Sequence, residues 1–550
     1  MILRATRLGG HEGRKENSMS TIKKDMYKRF AAAAQKATGR GGREAYIPMS
    51  RMVLLEASEG QDGISYVMVK DAKTGKEIQC MKKGEIYVVD DRKTRIALYA
   101  AYGSNMNIRQ MEYRCPNAKI IGTGKIKGYR LTFRRGGYAN IEPAEDESVP
   151  ILVWDTTISD ERRLDQYEGY PDFYTKELVE VEMDDGEKKM AYIYIMTNTA
   201  RGEYAVPTVQ YYRSVKSGYI ANCIDLRPLI EARRRALIAV DDLYDKIKGA
   251  LYGVAIGDSL GAPVEFMSAD DIKLKYGQLR DMQEGGWLNV KPGEITDDTQ
   301  MTFAVCNGIC NSPDDPVPRI GHNFIKWYNS DPKDVGGTCA ASISRAIRML
   351  KESGEQLLST EGWMKASGST AVKDGERVDG NGALMRTVYP ALFYKKQLKG
   401  VFKAELIARM THAGKISTKA CILYTNMLYS LLSNGGRSDI AKLATGNADI
   451  SGIYGILPFE DYDLNPSGYV KDSFKCALAA LLTTDNFEEA LIRAVNLGGD
   501  ADTIGAITGG LAGAMYGYSS IPDRWSKELS CETKSLLDYY TDQAYDHRRE

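Results

Sequence analysis

Two clusters of acidic and hydroxyl side chains stand about two hundred positions apart in this 550-residue chain. The first is Thr296-Asp297-Asp298-Thr299 within PGEITDDTQM, and the second is Asp500-Ala501-Asp502-Thr503 within LGGDADTIGA. Four carboxylates and several hydroxyls gathered in one pocket would form a hard-oxygen site suited to Mg2+ or Mn2+. Each cluster also has a structural reading, because Asp and Thr are good helix N-caps and apolar helical stretches follow both. Adjacent carboxylates cannot share one helix face. Asp297 and Asp298 therefore belong to a loop or first turn, where they can bind two ions or cap one helix. A third constellation, Tyr102-Gly103-Ser104-Asn105, follows the apolar run IALYAA and predicts a glycine-containing turn at a strand's end.

The elements that must position these residues fall into segments. A chain of 550 residues is too long for a single hydrophobic core, so two or three domains are expected. Residues 1–45 read as a mobile tail or lone helix: the first 44 carry 11 basic and 4 acidic side chains with little apolar periodicity. Met19 is an alternative start. Residues 46–95 hold two β-type runs, ISYVMV and EIYVVD, separated by the turn-forming KTGK, and predict a small β-rich element or hairpin. From 96 to 237 strand-like runs (IALYAAY, KIIGTG, YRLTF, VPILVW, ELVEVEM, AYIYIM) surround one helical stretch, SDERRLDQYEG, and predict an α+β domain. From 238 to 550 helical periodicity takes over. Two helices there, GALYGVAIGDSLGA and TIGAITGGLAGAMYG, are rich in glycine, which costs helix stability and points to close backbone packing against a neighbour or a ligand.

Composition excludes several classes of function. Lysine plus arginine equals aspartate plus glutamate at 73 each, so no whole-chain electrostatic partner such as nucleic acid is expected, and any such contact is confined to the basic tail. No run approaches the roughly 18 apolar residues that span a bilayer, so no membrane partner is expected. Nine scattered cysteines without CxxC pairs imply a reduced, cytoplasmic setting with neither a disulfide framework nor a cysteine zinc site.

The company of the acidic clusters is GDSLGAPVEF with Asp258 and Glu265, GNGALMR at 380–386, Thr411-His412, and the glycine-rich run after Asp502. This ordered set resembles the ADP-ribosylglycohydrolase family over about 245–520. The resemblance implies an all-α orthogonal fold with a binuclear Mg2+ or Mn2+ centre. Its metal shell would be Thr296, Asp297, Asp298, Asp500, Asp502 and Thr503. It also implies that Asn381, Gly382, Arg386 and Gly499 lie against ADP-ribose, with glycines allowing close backbone approach. Cleavage at a ribosyl C1 needs oriented hydroxyls, a positioned water and a proton-transfer group. The resemblance points to Glu265 and Asp334 for that last role and leaves their division of labour open. His412 departs from the family pattern in reading THAGKIS, and a lone histidine of this kind is more often a hydrogen-bonded core residue.

The YGSN tetrapeptide likewise gains meaning from RCPNAKIIGTGKIKGYRLTF, GYANIEP, VPILVW and LDQYEGYPDFY, which holds Glu168. Together they resemble the gamma-glutamylcyclotransferase-like family across about 97–225. That resemblance implies a small mixed β-barrel whose Tyr102, Gly103, Ser104 and Asn105 cradle the glutamyl part of a gamma-glutamyl amine. Glu168 would move the proton as the substrate's own amine closes 5-oxoproline. The expected whole is a metal-dependent hydrolase that removes ADP-ribose from a modified protein or small molecule, fused to this second domain. The alternatives are an amino-terminal domain that recruits targets without turnover, and a chain that senses ADP-ribose.

Overall fold

The structure is a computed structural model that describes residues 2–4, 52–59, 65–71, 77–83, 86–89 and 95–549, except 375–378 and 454–462. The chain forms two compact units, Met1–Val240 and Asp241–Glu550. Of the basic amino-terminal segment only Ile2–Arg4 is described. It forms strand β1 and pairs antiparallel with β5 (Ile86–Val89). The rest of that segment lies outside the described residues. With β2 (Met52–Glu59), β3 (Ser65–Asp71) and β4 (Glu77–Lys83), these strands make an antiparallel sheet ordered β1-β5-β4-β3-β2. ISYVMV and EIYVVD are therefore not hairpin partners. Strand β4 lies between them and pairs with both, and its lysines and glutamine hid it from a reading based on apolar runs.

The rest of the first unit is a closed five-stranded barrel. Its strands are β6 (Arg95–Ala101), β7 (Lys119–Arg134), β8 (Tyr138–Thr157), β9 (Tyr174–Met183) and β10 (Lys188–Met196), in the circuit β10-β6-β8-β7-β9. Only β10 and β6 run parallel, and the other pairs are antiparallel. Alternation along β8 and β10 turns Ile151, Val153, Ile193 and their neighbours into a core shared with Phe133 and Val181. A 3-10 turn, Ser104–Met106, leaves β6 and leads to α1 (Ile108–Arg114). Helix α2 (Ile158–Glu168) starts with a reciprocal capping box between Thr157 and Asp160 and stops where Gly169 adopts φ 62. Helices α3 (Val209–Ala221) and α4 (Arg227–Val240) complete this unit.

The second unit is helical, and its β pairings among the described residues are isolated bridges. Its site rests on α5 (Asp242–Gly261), α6 (Asp297–Asn311), α7 (Lys415–Leu432), α8 (Val470–Leu482) and α9 (Ala501–Tyr516). Glycines recur every four residues on α5 (Gly249, Gly253, Gly257, Gly261) and on α9 (Gly505, Gly509, Gly513), giving each helix a bare face. The two faces meet antiparallel. A Cβ on Gly253 would stand 2.0 Å from the Gly509 carbonyl oxygen, and one on Gly257 would stand 2.0 Å from that of Gly505. No helix among the described residues is long and apolar enough to cross a membrane.

A methyl group at Gly253 must separate the two helices, because the atom it meets is rigid backbone. Gly253→Ala is expected to destabilise the protein by about 2 kcal/mol or more, the overpacking cost exceeding the helix-propensity gain of ~1 kcal/mol. Gly368→Ala, at a helical glycine with open space around it, is expected to be neutral or slightly stabilising. Denaturant unfolding of both variants measures the contrast.

Candidate functional site

The glycine seam places the first acidic residue. Asp258 follows Gly257 on α5 and is fully buried. It accepts from Thr296 N at 3.1 Å, Thr296 Oγ1 at 2.8 Å, Thr299 N at 3.2 Å and the Thr299 hydroxyl. Burial outweighs these donors and pushes its carboxyl up to about 6. Asp258 therefore anchors the TDDT turn from outside it. The structure does not realise the capping reading of the two clusters. Thr296 is the N-cap residue of α6 and Asp500 that of α9, yet neither side chain makes a capping hydrogen bond.

The clusters converge. Asp258, Asp298 and Asp502 present carboxylate oxygens within 4.8 Å of one another, and so do Glu265, Asp500 and Asp502. Asp502 is common to both groups. Asp298 Oδ2 lies 3.4 Å from the hydroxyls of both Thr296 and Thr503, while its Oδ1 is buried without a partner. Thr503 and Asp297 are buried beside them. Burial first, then neighbouring carboxylates, raises the pKa of Asp297, Asp298 and Asp502 well above the ordinary range. None of the ion pairs among the described residues involves these aspartates, so the negative charge has no built-in protein counterion. An orphaned buried carboxylate oxygen within an all-oxygen donor set fits a hard divalent ion.

Glu265 follows the short helical turn that ends α5 and accepts from Trp287 Nε1 at 2.5 Å. Desolvation, then Asp500, Asp334 and Asp258, push it up to about 8. Asp334 is half-buried and accepts from Val335 N at 2.7 Å. It shares with Asp297, Thr296 and Gln300 the wall of a cavity of about 300 Å³. Desolvation raises its pKa as well, with Asp500 adding to the effect.

The residues expected to lie against a nucleotide form a supporting layer. Asn381 donates from Nδ2 to Asp500 Oδ2 at 2.7 Å and to Ser473 Oγ at 2.9 Å, and so holds Asp500 in place. Gly499, at φ 62, donates to Met267 O and accepts from Phe266 N, splicing the Glu265 segment to the Asp500 turn; a Cβ there would strike Pro466 O at 1.8 Å. Arg386 is fully buried; its guanidinium donates to Thr411 Oγ1 at 2.6 Å and to Gly382 O and lies 4.9 Å from the centroid of the Phe324 ring. Gly382 packs against His412, which is itself buried and bonded through Nδ1 to Thr411 Oγ1 at 2.8 Å. Burial and nearby Arg386 lower the His412 pKa to about 3, so the ring stays neutral.

In the barrel unit, Tyr102, Gly103, Ser104, Asn105 and Glu168 line one cavity of about 290 Å³, walled otherwise by Tyr99, Tyr174, Tyr194 and Tyr211. Glu168 is the last residue of α2, where the helix dipole disfavours negative charge. It accepts from Asn105 Nδ2 at 2.7 Å, and burial pushes it up to about 7 against the opposing effects of Asn105 and Arg114. A carboxyl poised there can take a proton and return it near neutral pH.

Sequence reasoning left Asp258, Ser473, Trp287 and Arg114 out of the candidate sites. Asp258 carried a usable signal, a lone carboxylate inside an apolar, glycine-rich helix. The other three make contacts that only folding creates.

Residues 239–550 match the family model described as ADP-ribosylglycohydrolase, and residues 99–213 match gamma-glutamyl cyclotransferase, AIG2-like. ADP-ribosyl-(dinitrogen reductase) glycohydrolase of Rhodospirillum rubrum is 35% identical over 299 residues, which cover 53% of this chain and 92% of that protein. ADP-ribosylarginine hydrolase Tri1 of Serratia proteamaculans is 29% identical, covering 53% of this chain and 77% of its own length. A solved gamma-glutamyl cyclotransferase is 26% identical, covering 26% of this chain and 85% of that one, with a TM-score of 0.23. More than half of the chain matches the first model and the converging carboxylates lie inside that match, so the chain belongs to the ADP-ribosylglycohydrolase family and is a hydrolase that also carries an AIG2-like domain.

Proposed function

We propose that the unit Asp241–Glu550 hydrolyses the bond between ribosyl C1 and a modified protein or small molecule, releasing ADP-ribose in a Mg2+- or Mn2+-dependent reaction. The observation that carries this reading is the pair of carboxylate groups joined at Asp502, Asp258 with Asp298 on one side and Glu265 with Asp500 on the other, together with the unpartnered Asp298 oxygen. Thr296, Asp297, Asp298, Asp500, Asp502 and Thr503 would hold two ions, with Asp258 and Asn381 fixing that shell from behind. Bound divalent ions in such a site orient ribose hydroxyls and the attacking water and offset negative charge. Water oxygen adds to C1 as the C1–leaving-group bond breaks. We assign proton transfer to Glu265 and Asp334, which take a proton from the water and return one to the leaving nitrogen or oxygen. Arg386 and His412 act as the rigid backing of the GNG loop. The nine scattered cysteines of the sequence, without CxxC pairs, suit a reducing, cytoplasmic setting.

For the barrel unit we propose formation of 5-oxoproline from a gamma-glutamyl amine. The substrate's α-amino nitrogen attacks its own γ-carbonyl, the C–N bond to the departing amine breaks, and Glu168 carries the proton from the first nitrogen to the second. The confluence of Glu168 with the YGSN turn in one tyrosine-walled cavity supports this reading.

Asp298→Asn is expected to abolish ADP-ribose release from arginine-, serine- and small-molecule-linked conjugates, and chelation should have the same effect on the wild type until Mg2+ or Mn2+ is returned. Saturating ion at about 100 times its Kd should also stabilise the wild type by about 2.7 kcal/mol for each ion bound, a gain that Asp298→Asn diminishes. Metal-independent release would defeat the assignment. For the barrel, Glu168→Gln should lower 5-oxoproline formation by at least ~10²-fold. Because Glu168 acts as a carboxylate, wild-type turnover should climb with pH through about 7. If no gamma-glutamyl amine yields 5-oxoproline, the barrel is a binding module.

A further inference from the structure

Arg114 ends α1 and touches the two elements that meet at Glu168, the turn after β6 and helix α2. Its Nη1 donates to Ser104 Oγ at 3.2 Å and to Asn105 Oδ1, both in the turn after β6. Its Nη2 donates to the Tyr167 hydroxyl at 2.6 Å, and its Cζ lies 3.6 Å from the centroid of the same ring, one residue before Glu168 on α2. A guanidinium has donors and no acceptor, whereas a side-chain amide has a donor end and an acceptor end, and its neighbours decide which way it faces. With Arg114 on one side, the acceptor end of Asn105 is claimed. The donor end is turned the other way, where its two hydrogens reach Glu168 Oε1 at 2.7 Å and the Tyr99 hydroxyl at 2.8 Å.

We propose that Arg114 is a positioning residue that fixes the orientation of the Asn105 amide, so that Asn105 donates a hydrogen bond to Glu168 instead of facing it with a lone pair. The inference rests on the reading of Glu168 as the proton-transfer group and deepens it. A hydrogen bond donated to a carboxylate favours the charged form, and a carbonyl oxygen in the same place favours the protonated form. Arg114 therefore sets how readily Glu168 serves as a base while remaining one residue removed from it. The other titratable groups around Glu168 are Tyr99 and Tyr102 on the β6 side, Tyr174 on β9, Tyr194 on β10, Tyr211 on α3 and Cys115 after α1. Burial raises the pKa of all five tyrosines, and that of Cys115 to about 12. None of them ionises near neutral pH, so Glu168 titrates against a constant background.

The test follows the Glu168 carboxyl by carbon NMR in full-length protein labelled at glutamate Cδ, with the signal assigned by its loss in Glu168→Gln. Arg114→Met and Arg114→Gln are expected to raise the midpoint by roughly one unit, since neither replacement is a donor-only group. Arg114→Lys, still donor-only, should stay close to wild type and serves as the folded control by circular dichroism. In an Asn105→Ala background the shift from Arg114→Gln should shrink to the part that the direct attraction of the guanidinium for Glu168 supplies, because the residue it orients is gone. An unchanged midpoint in Arg114→Gln, a lysine variant displaced as far as the glutamine variant, or equal shifts with and without Asn105 would each overturn the proposal, the last by showing that charge alone is responsible. Where 5-oxoproline is formed, the acid limb of the kcat profile should move to higher pH by the same amount with KM nearly constant. Failure to form it would defeat the cyclotransferase reading alone, leaving the NMR midpoints to judge Arg114.

Discussion

The backbone-to-backbone approach of α5 and α9 is the constraint on which the acidic site depends. Glycine at four-residue intervals leaves no side chain along the seam itself, and carbonyl oxygens of one helix occupy the space where the other would carry Cβ atoms. Each glycine costs helix stability of ~1 kcal/mol relative to alanine, a cost offset only if the close packing is used. It is used at the seam's end. Gly257 precedes Asp258, Gly261 faces Ala501 and Asp502, and the two aspartates are thereby brought within ligand distance. A wider helix pair would separate them by the width of the added side chains.

Gathering carboxylates in a buried space sets a second requirement, because each raises the cost of ionising the next. The fold answers it unevenly. Asp258 receives main-chain and hydroxyl donors from Thr296 and Thr299, Asp500 receives Asn381, and Glu265 receives Trp287. Asp298 keeps one oxygen with no partner at all. This division separates residues that hold the frame from those left with free lone pairs. The GNG loop is treated in the same spirit: Arg386, Thr411 and His412 form a buried hydrogen-bonded chain behind it and keep its backbone in one position.

The barrel unit tunes a single carboxylate by different means. Glu168 stands at a helix C-terminus, among tyrosines and away from bulk water, all of which favour its protonated form. Asn105 and Arg114 oppose that tendency. The balance places one acid near neutrality, whereas the helical unit concentrates several acids in a space suited to cations.

Much of this was legible in the chain itself. The switch from two-residue to helical periodicity separated a strand-rich part from a helical one, and the spacing of glycines on two helices announced bare faces. The TDDT and DADT clusters, with GDSLGAPVEF and GNGALMR in order between and before them, carried the family. The sequence could not decide whether those clusters cap helices or face one another, since Asp and Thr do either, and only the packing of α5 on α9 turned them to a common point. Nor could it name the partners of Arg386 and His412, since the contacts of both with Thr411 and of Arg386 with Phe324 exist only in the folded chain. The polar strand β4 was hidden for a related reason, because its place between β3 and β5 comes from main-chain pairing, to which its side chains bear no witness. Residue types determined what chemistry this protein can perform; the tertiary structure decided which groups meet, because contacts across hundreds of residues depend on how closely two backbones can approach.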